Sequence, residues 1–279
     1  MAVIIKCCLF QFKEVFDLKK KRRRVRKFLV FVIIVLIMII ALLLALIMKR
    51  TNDNKVSQPQ QTQEVVSKKE DTETNLPKVT KVDQSKEPYE NTITVSDLDS
   101  IYILVNKYSG LPEDYEPKDL VEVPSSGENT NVRMRKPAAK AFNKLIDAAE
   151  KEGFILNACS AYRSYAYQTD LFNNGAASYG EEYADRYWTR PGYSEHQSGL
   201  SVDIRMDNDC SDLDAVRYNS HYGWLLKNMH KYGFILRYPD DKEDKTKIAP
   251  ESWHLRYVGV DLATYLYKNN LTLDEYYGA

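Results

Sequence analysis

The chain has 279 residues, of which 44% are hydrophobic and 28% are charged; this composition supports a folded domain and excludes disorder along the whole length. The net charge of zero hides a division, because residues 1–50 carry twelve Lys/Arg and two Asp/Glu, whereas the other 229 residues carry 27 and 37. A body with an excess of ten negative charges argues against a nucleic-acid partner, and four cysteines are too few for a disulfide scaffold.

Residues 28–48 form an uninterrupted apolar run of 21 residues, the length of a helix that crosses a bilayer. Eight Lys/Arg lie in residues 19–27, directly before the run, and only two follow it. The positive-inside rule therefore predicts a cytoplasmic basic segment (residues 1–27), a single-pass signal anchor in the cell membrane (residues 28–48) and an extracellular remainder. A cleaved signal peptide is the alternative, but its shorter apolar region would precede a small-residue cleavage site that is missing here.

Residues 49–95 are rich in Gln, Thr, Lys, Glu, Ser, Asn and Asp and contain almost no aromatic side chains. A segment of this composition buries too little apolar surface to fold, so we expect a disordered extracellular linker. The folded part is expected over residues 96–279, which is the size of one ordinary domain.

The pattern of apolar residues in this part predicts a mixed α+β domain. Short apolar runs and alternating segments predict strands, which we place at residues 101–105, 154–159, 200–205, 234–238 and 253–258. Helical periodicity predicts helices at residues 137–152, 165–174, 220–232 and 260–269, and a capping box at residues 272–275 predicts a last helical turn. We expect Gly175 to end the second of these helices.

Two short segments carry candidate metal ligands. The segment SEHQSGLSVD places His196 in a loop and Asp203 on the polar face of the strand that follows. The segment ESWHLRYVG places His254 on a second strand. Two imidazoles and one carboxylate are the ligand set of a catalytic zinc ion, whose fourth position is left for water. Glu251, three residues before His254, is then placed to act as a general base.

Three further polar residues need alternative interpretations. Arg163, in the segment SAYRSYAYQ, follows a predicted strand and opens a helix, where its guanidinium can bind a carboxylate in a bidentate manner. A weak surface ion pair is the alternative for Arg163, and this segment alone does not decide between them. His221 and His230 both fall on a predicted helix and are interpreted as structural or surface residues.

Four segments together resemble a known family. In chain order they read AYRSYAYQ, PGYSEHQSGLSVDI, YGFILRYP and ESWHLRYVG, and they are similar to the zinc D-alanyl-D-alanine carboxypeptidases of the VanY type in peptidase family M15B. The resemblance extends to the L,D-carboxypeptidases of that family and covers residues 98–270. It implies a single compact α+β domain with a central antiparallel sheet flanked by helices.

The resemblance also implies roles for single residues. It implies that His196, Asp203 and His254 hold Zn²⁺, and that Glu251 is the catalytic base. It further implies that Arg163 binds the substrate and stabilises charge at the scissile group. The positions of three other residues contact the terminal D-alanine in related L,D-carboxypeptidases: Gln168, Ser194 and Tyr238.

The function implied is removal of the C-terminal D-alanine from peptidoglycan stem peptides by a membrane-anchored D,D-carboxypeptidase. An L,D-carboxypeptidase that shortens tetrapeptide stems is the alternative within the family, and a zinc-bearing wall-binding domain without catalysis is the alternative outside the enzymes. A serine enzyme of the penicillin-binding type is excluded because no serine is followed by lysine three residues later.

The cysteines of the extracellular part allow two interpretations. Cys159 lies in an apolar predicted strand, where a cysteine is usually an inert core residue rather than a nucleophile. Since Cys210 is also extracellular, and the predicted strands at 154–159 and 200–205 are candidates for neighbours, a Cys159–Cys210 disulfide is the second interpretation. The sequence leaves this choice open.

Overall fold

The computed structural model describes residues 76–79, 81–83, 85, 87–90, 92–125 and 131–278. All of these residues belong to one compact unit. The expected cytoplasmic segment, the expected membrane anchor and the first part of the expected linker lie outside them. Within the described residues, no helix has the length and apolar character that a membrane crossing requires.

Eight strands and seven helices are described, and three short 3-10 turns connect them. The strands are β1 (Ile93–Thr94), β2 (Ser109–Gly110), β3 (Leu120–Glu122), β4 (Arg133–Arg135), β5 (Asn157–Ser160), β6 (Ser201–Arg205), β7 (Phe234–Tyr238) and β8 (Glu251–Tyr257). The helices are α1 (Lys136–Lys151), α2 (Tyr165–Tyr179), α3 (Glu181–Tyr187), α4 (Tyr222–Asn228), α5 (Glu243–Thr246), α6 (Val260–Asn269) and α7 (Leu273–Tyr277). The 3-10 turns are Glu195–Ser198, Leu213–Tyr218 and Met229–Tyr232.

A four-stranded antiparallel sheet forms the centre of the domain, in the order β5-β6-β8-β7. Two small two-stranded sheets, β1-β2 and β3-β4, accompany it. The apolar residues Val202 and Ile204 of β6 belong to the main core cluster together with Phe142 of α1. Because side chains alternate along a strand, Asp203 of β6 points to the opposite face of the sheet. The expected α+β class with a central antiparallel sheet is confirmed.

Helix α1 closely matches its prediction. Pro137 occupies the first turn, where a missing N–H costs nothing. One stripe of the helix is buried: Ala138, Ala139, Phe142, Leu145, Ile146 and Ala149. The Phe142 and Phe234 rings meet edge to face at 6.0 Å, so α1 packs on the apolar side of the sheet through β7.

The strand expected at residues 101–105 does not form. This segment is an irregular buried loop between two core clusters, with Ile103 and Val105 in the larger cluster and Leu104 in the smaller one. Arg256 Nη2 donates to the carbonyl oxygens of Ile101 and Ile103, at 3.2 and 2.7 Å. A buried side chain therefore satisfies backbone groups that a neighbouring strand would otherwise satisfy.

Gly175 was expected to end the second helix, but α2 continues past it to Tyr179. A Cβ atom at position 175 would lie 2.7 Å from the Trp188 ring. The glycine is needed because it lets the indole lie against the helix backbone. Gly180, with a φ of 92°, follows the last residue of the helix.

The packed part of the chain begins before residue 95, the expected end of the linker. Val82 is buried, and its backbone N–H donates to the Tyr277 carbonyl oxygen at 3.2 Å. Leu76 and Val79 pack against the same cluster as helices α6 and α7. These three apolar residues lie three positions apart within a polar segment, so the composition of the segment did not predict that it packs against the domain.

Candidate metal centre and substrate cleft

The three candidate metal ligands come from two paired strands and the turn before them. Asp203 on β6 and His254 on β8 are direct partners in the antiparallel register. His196 lies in the 3-10 turn that ends at Gly199, immediately before β6. Gly199 has a φ of 67°, and a Cβ atom there would approach two side chains to 3.0 Å, so this turn requires glycine.

The orientation of the His196 ring is fixed by the strand-to-helix loop beside it. Its Nδ1 lies 2.6 Å from the Ala161 carbonyl oxygen, which can only accept a hydrogen bond. Nδ1 therefore carries the proton, and Nε2 is left with a free lone pair that faces Asp203 Oδ2 at 3.4 Å. A backbone carbonyl of this kind is a typical outer partner of a metal-binding histidine.

The donor atoms of His196, Asp203 and His254 all lie within 4.8 Å of one another, and each of the three side chains is buried. His254 Nδ1 lies 3.2 Å from Asp203 Oδ1. Asp203 Oδ1 has no hydrogen-bond partner of good geometry within the described residues, although it is fully buried. A cation among the three groups would satisfy it. The donor set fits Zn²⁺, which takes imidazole nitrogen and carboxylate oxygen at about 2.0–2.2 Å.

Burial and charge act in opposite directions on the two histidines. Burial lowers the pKa of His196 to about 4, and the positive charge of Arg163 adds to this effect. Burial also lowers the pKa of His254, but contacts with the carboxylates of Asp203 and Glu195 outweigh it and raise that pKa to about 9. Because a metal binds the neutral imidazole, a metal at His254 would compete with a proton for this nitrogen.

Glu251 begins strand β8 and lies next to the ligand cluster without joining it. Its Oε2 is 3.4 Å from His254 Nδ1, and its side chain is 13% exposed. Burial raises the pKa of the Glu251 carboxyl to about 7. A carboxylate with a pKa close to neutral, at the edge of a metal site, is suited to accepting and returning a proton.

A buried network of charged groups supports the cluster from behind, and the sequence analysis did not find it. Glu195 Oε2 lies 3.6 Å from His254 Nε2, while its Oε1 accepts hydrogen bonds from Arg237 Nε at 2.8 Å and Arg256 Nη1 at 2.7 Å. Arg237 also pairs with the buried Asp274. Burial alone would raise the pKa of Glu195, but the two guanidinium groups hold it well below its usual range. An ionised Glu195 therefore places a negative charge beside the outer nitrogen of His254.

Arg163 lies at the entrance to the metal cluster. Its Nη2 contacts Asp203 Oδ2, and its Nε donates to Ser160 Oγ at 2.9 Å. Its backbone N–H donates to the His196 carbonyl oxygen at 3.2 Å. These contacts hold the guanidinium beside the metal-ligand cluster, on the wall of the cleft.

All the residues predicted for the site line one cleft of about 350 Å³. The metal cluster, Glu251 and Arg163 occur there together with the buried Gln168, Ser194 and Tyr238. Gln168 Nε2 donates to the Thr189 carbonyl oxygen at 2.8 Å, which leaves its buried Oε1 without a partner among the described residues. Several other residues that line the cleft were not predicted from the sequence: Leu171, Tyr187, Trp188, Leu213, Ile248 and Trp253.

The disulfide that the sequence left open is present. Cys159 on β5 is bonded to Cys210, with their Cα atoms 5.7 Å apart, and both residues line the cleft. The antiparallel pairing of β5 with β6 brings these two parts of the chain together. The bond excludes Cys159 as a free nucleophile.

The two remaining histidines are structural, as expected. The His221 ring stacks on Phe154 with ring centroids 4.7 Å apart, and the His230 ring stacks on Tyr267 at 4.1 Å. Neither lines the cleft.

Comparison with known proteins agrees with this site. The family model described as VanY, D-alanyl-D-alanine carboxypeptidase, matches residues 131–260. The putative carboxypeptidase YodJ of Bacillus subtilis (strain 168) is 44% identical over 189 residues, which cover 66% of this chain and 69% of YodJ. Among solved structures, the LD-carboxypeptidase LdcB has a TM-score of 0.63 and 41% identity, covering 70% of this chain and 93% of LdcB. A vancomycin-resistance D,D-pentapeptidase VanY in complex with Zn(II) has a TM-score of 0.54 and 33% identity, covering 63% of this chain and 97% of the VanY chain.

The fold and the His/Asp/His cluster define a zinc hydrolase. The chain belongs to the VanY family of D-alanyl-D-alanine carboxypeptidases, whose members cleave peptides of peptidoglycan.

Proposed function

We propose that this protein removes the C-terminal D-alanine from peptidoglycan stem peptides as a D,D-carboxypeptidase. The observation that carries the proposal is the cleft itself, in which a zinc-type ligand cluster, a partly buried carboxylate of raised pKa and an arginine lie together. The VanY relative that binds Zn(II) is named a D,D-pentapeptidase. A second candidate is an L,D-carboxypeptidase, which the higher identity to LdcB favours.

In the proposed mechanism, His196, Asp203 and His254 would hold zinc. When bound, zinc polarises the scissile carbonyl and lowers the pKa of its water towards about 7. Glu251 accepts the proton of the attacking water and later gives a proton to the amine of the leaving D-alanine. Arg163 binds the substrate and stabilises the negative charge that develops at the scissile group.

The terminal D-alanine is assigned to the part of the cleft lined by Gln168, Ser194 and Tyr238. The buried hydroxyls of Ser194 and Tyr238 can donate to the carboxylate of a small terminal residue, and Gln168 Oε1 can accept from its N–H, in a space from which water is excluded. Tyr238 also contacts His254, with ring centroids 5.1 Å apart, so this part of the cleft adjoins the metal cluster.

One assay tests the proposal. The protein is incubated with zinc and an equimolar mixture of pentapeptide and tetrapeptide stems, beside a chelator control, and the products are weighed by mass spectrometry. Loss of alanine from the pentapeptide alone is expected for a D,D-carboxypeptidase, and loss from the tetrapeptide indicates the L,D-enzyme. If neither stem is shortened while zinc is bound stoichiometrically, the proposed function is wrong.

We also infer that residues 28–48 anchor the protein in the cell membrane, with the catalytic domain outside. The apolar run of 21 residues and the basic residues before it support this proposal. Fractionation of cells that express the full chain, beside a variant lacking residues 1–50, tests it. The full chain should sediment with membranes and be degraded by protease added to intact protoplasts. A full chain that stays protected from the protease would contradict the topology.

A further inference from the structure

A second groove, which we call the side groove, opens beside the catalytic cleft. It has a volume of about 370 Å³. Four residues line both spaces: Cys159, Ser160, Arg163 and Tyr167. The other walls of the side groove come from β4, the residues before it and the loop after β5: Asn131, Val132, Arg133, Ala161, Tyr162 and Ser164. The two spaces therefore adjoin each other at Arg163.

The side groove is lined by two arginines although the body of the protein is acidic. None of its described lining residues is a carboxylate, whereas residues 51–279 as a whole carry ten more Asp/Glu than Lys/Arg. Arg163 is already paired with Asp203 in the catalytic cleft, so Arg133 is the lining cation that is available to a ligand. An arginine in a groove without lining carboxylates attracts anionic groups to this position.

Arg133 is not committed to a protein partner. Its nearest carboxylate is that of Glu116, at 4.0 Å, and the two side chains are 42% and 58% exposed. An exposed pair at this distance contributes little. The Arg133 guanidinium also lies over the Tyr162 ring, 5.4 Å from the centroid. The aromatic ring holds the guanidinium at the groove while its N–H donors remain available for a ligand.

The shape of the catalytic cleft gives the direction of a bound peptide. The buried Gln168, Ser194 and Tyr238 line the catalytic cleft but not the side groove. In the proposed function, the terminal residue occupies that buried part. The residues on the N-terminal side of the scissile bond then have to leave the cleft through an open side, and the side groove provides one next to Arg163.

We propose that the side groove binds the part of the stem peptide that precedes the scissile bond, and that Arg133 binds a carboxylate on that part. The inference rests on the proposed function and names the acidic upstream segment of the substrate as a second recognition element. Because Arg133 lies away from the reacting bond, its contact acts on substrate binding and not on the chemical step.

The test uses two matched stem peptides, one whose glutamyl residue carries a free carboxylate and one in which this group is a carboxamide. Steady-state kinetics of the zinc-loaded full chain is measured with both peptides for wild type and for Arg133→Gln, Arg133→Lys and Lys140→Gln. Lys140 is an exposed cation on α1 that lines neither space and serves as the matched control.

We expect wild type and Lys140→Gln to have a KM about tenfold lower for the carboxylate peptide than for the carboxamide, at equal kcat. Arg133→Gln should have the same KM for both peptides, and Arg133→Lys should recover part of the preference. A wild type without preference, or an Arg133→Gln variant that keeps it, overturns the inference.

Failure of the proposed function gives a different result, because wild type would then cleave neither peptide. In that case the affinities of the two peptides for wild type and Arg133→Gln, measured by calorimetry, test the side groove directly. Tighter binding of the carboxylate peptide that is lost in Arg133→Gln supports the inference. Equal affinities overturn it.

Discussion

Asp203 and His254 are direct partners on two adjacent antiparallel strands, with Asp203 Oδ1 only 3.2 Å from His254 Nδ1. Two of the three proposed zinc ligands are therefore positioned by the hydrogen-bonded ladder at the centre of the sheet. His196 joins them from the turn that leads into β6. A site held in this way is preorganised, because moving a ligand would require a change in strand register.

Removal of zinc should abolish turnover and lower the thermal midpoint of unfolding. A metal that binds only the folded state adds about 2.7 kcal/mol when its concentration is 100-fold above Kd. His196→Ala and His254→Ala should bind no stoichiometric zinc and show no zinc-dependent rise in the midpoint by scanning fluorimetry. His230→Ala is the matched control, since His230 lies outside the cleft, where it stacks on Tyr267 and contacts the Thr264 hydroxyl, and it should keep the zinc response. A zinc response that survives in His254→Ala would contradict the ligand assignment.

Asp274→Asn should be strongly destabilising. Asp274 is completely buried and pairs with the equally buried Arg237. Breaking a buried charge pair costs about 3–5 kcal/mol, and here Glu195 would be left as the partner of two buried guanidinium groups, so one positive charge would lose its compensation. Urea unfolding measures the loss. Glu243→Gln is the control. It removes a carboxylate from an exposed pair with Arg186 and should lower the free energy of unfolding by less than about 1 kcal/mol. Equal losses of stability in both variants would contradict the claim that the buried pair matters more than the exposed one.

The same network makes the stability depend on pH in the acid range. The pKa of Glu195 is lowered in the folded protein, so folding favours the ionised form. This contribution is fully present above the pKa of about 4.5 in the unfolded chain and is lost as the pH falls below it. The stability difference between wild type and Glu195→Gln, measured by urea unfolding at pH 6, 4 and 3, should therefore narrow with falling pH. A constant difference would show that Glu195 does not titrate in this manner.

Loss of the disulfide should destabilise the domain. Cys159 and Cys210 are separated by 51 positions in the sequence. A disulfide that closes a loop of this size restricts the unfolded chain and typically raises the free energy of unfolding by about 2–4 kcal/mol. The double variant Cys159→Ala/Cys210→Ala should lose this amount in urea unfolding. Reducing agent should destabilise wild type to the same level and leave the double variant unchanged. A wild type that is insensitive to complete reduction would contradict the prediction.

Gly175→Ala should disturb the cleft through Trp188. The added methyl would meet the indole ring at 2.7 Å, and Trp188 lines the catalytic cleft. We expect at least a tenfold loss of kcat/KM, equal to about 1.4 kcal/mol of transition-state stabilisation. Gly223→Ala, in helix α4 with no neighbour within 4 Å of the added methyl, is the control. It should be fully active and slightly more stable, because alanine is the better helix former.

The sequence was most informative where a local pattern was sufficient. Helix α6 was predicted with its observed bounds, and the capping box of Thr272 and Glu275 forms as expected. The segments that carry the predicted site residues were recognised because their residue types and order are specific. The structure brings all of these residues to one cleft.

Other features depend on contacts between distant parts of the chain, and no local pattern reports them. Glu195 pairs with Arg237 and Arg256, which lie 42 and 61 residues away. Charged side chains are usually exposed to solvent, so the complete burial of Glu195, Arg237 and Arg256 was not predicted. Gly175 was predicted to end a helix because glycine often does so. Its actual role is to leave room for Trp188, thirteen positions later, and this is a tertiary contact that no local pattern reports. The apolar run at 101–105 resembled a strand until its neighbours were known.

The central claim is that Glu251 acts as the proton acceptor beside a zinc ion that it does not hold. Glu251→Gln tests this most directly when zinc content and D-alanine release are measured on the same preparation. We expect one zinc per chain and a loss of turnover of at least about a hundredfold. Turnover close to that of wild type would contradict the role of Glu251 as the base, and loss of zinc together with activity would make it a ligand instead.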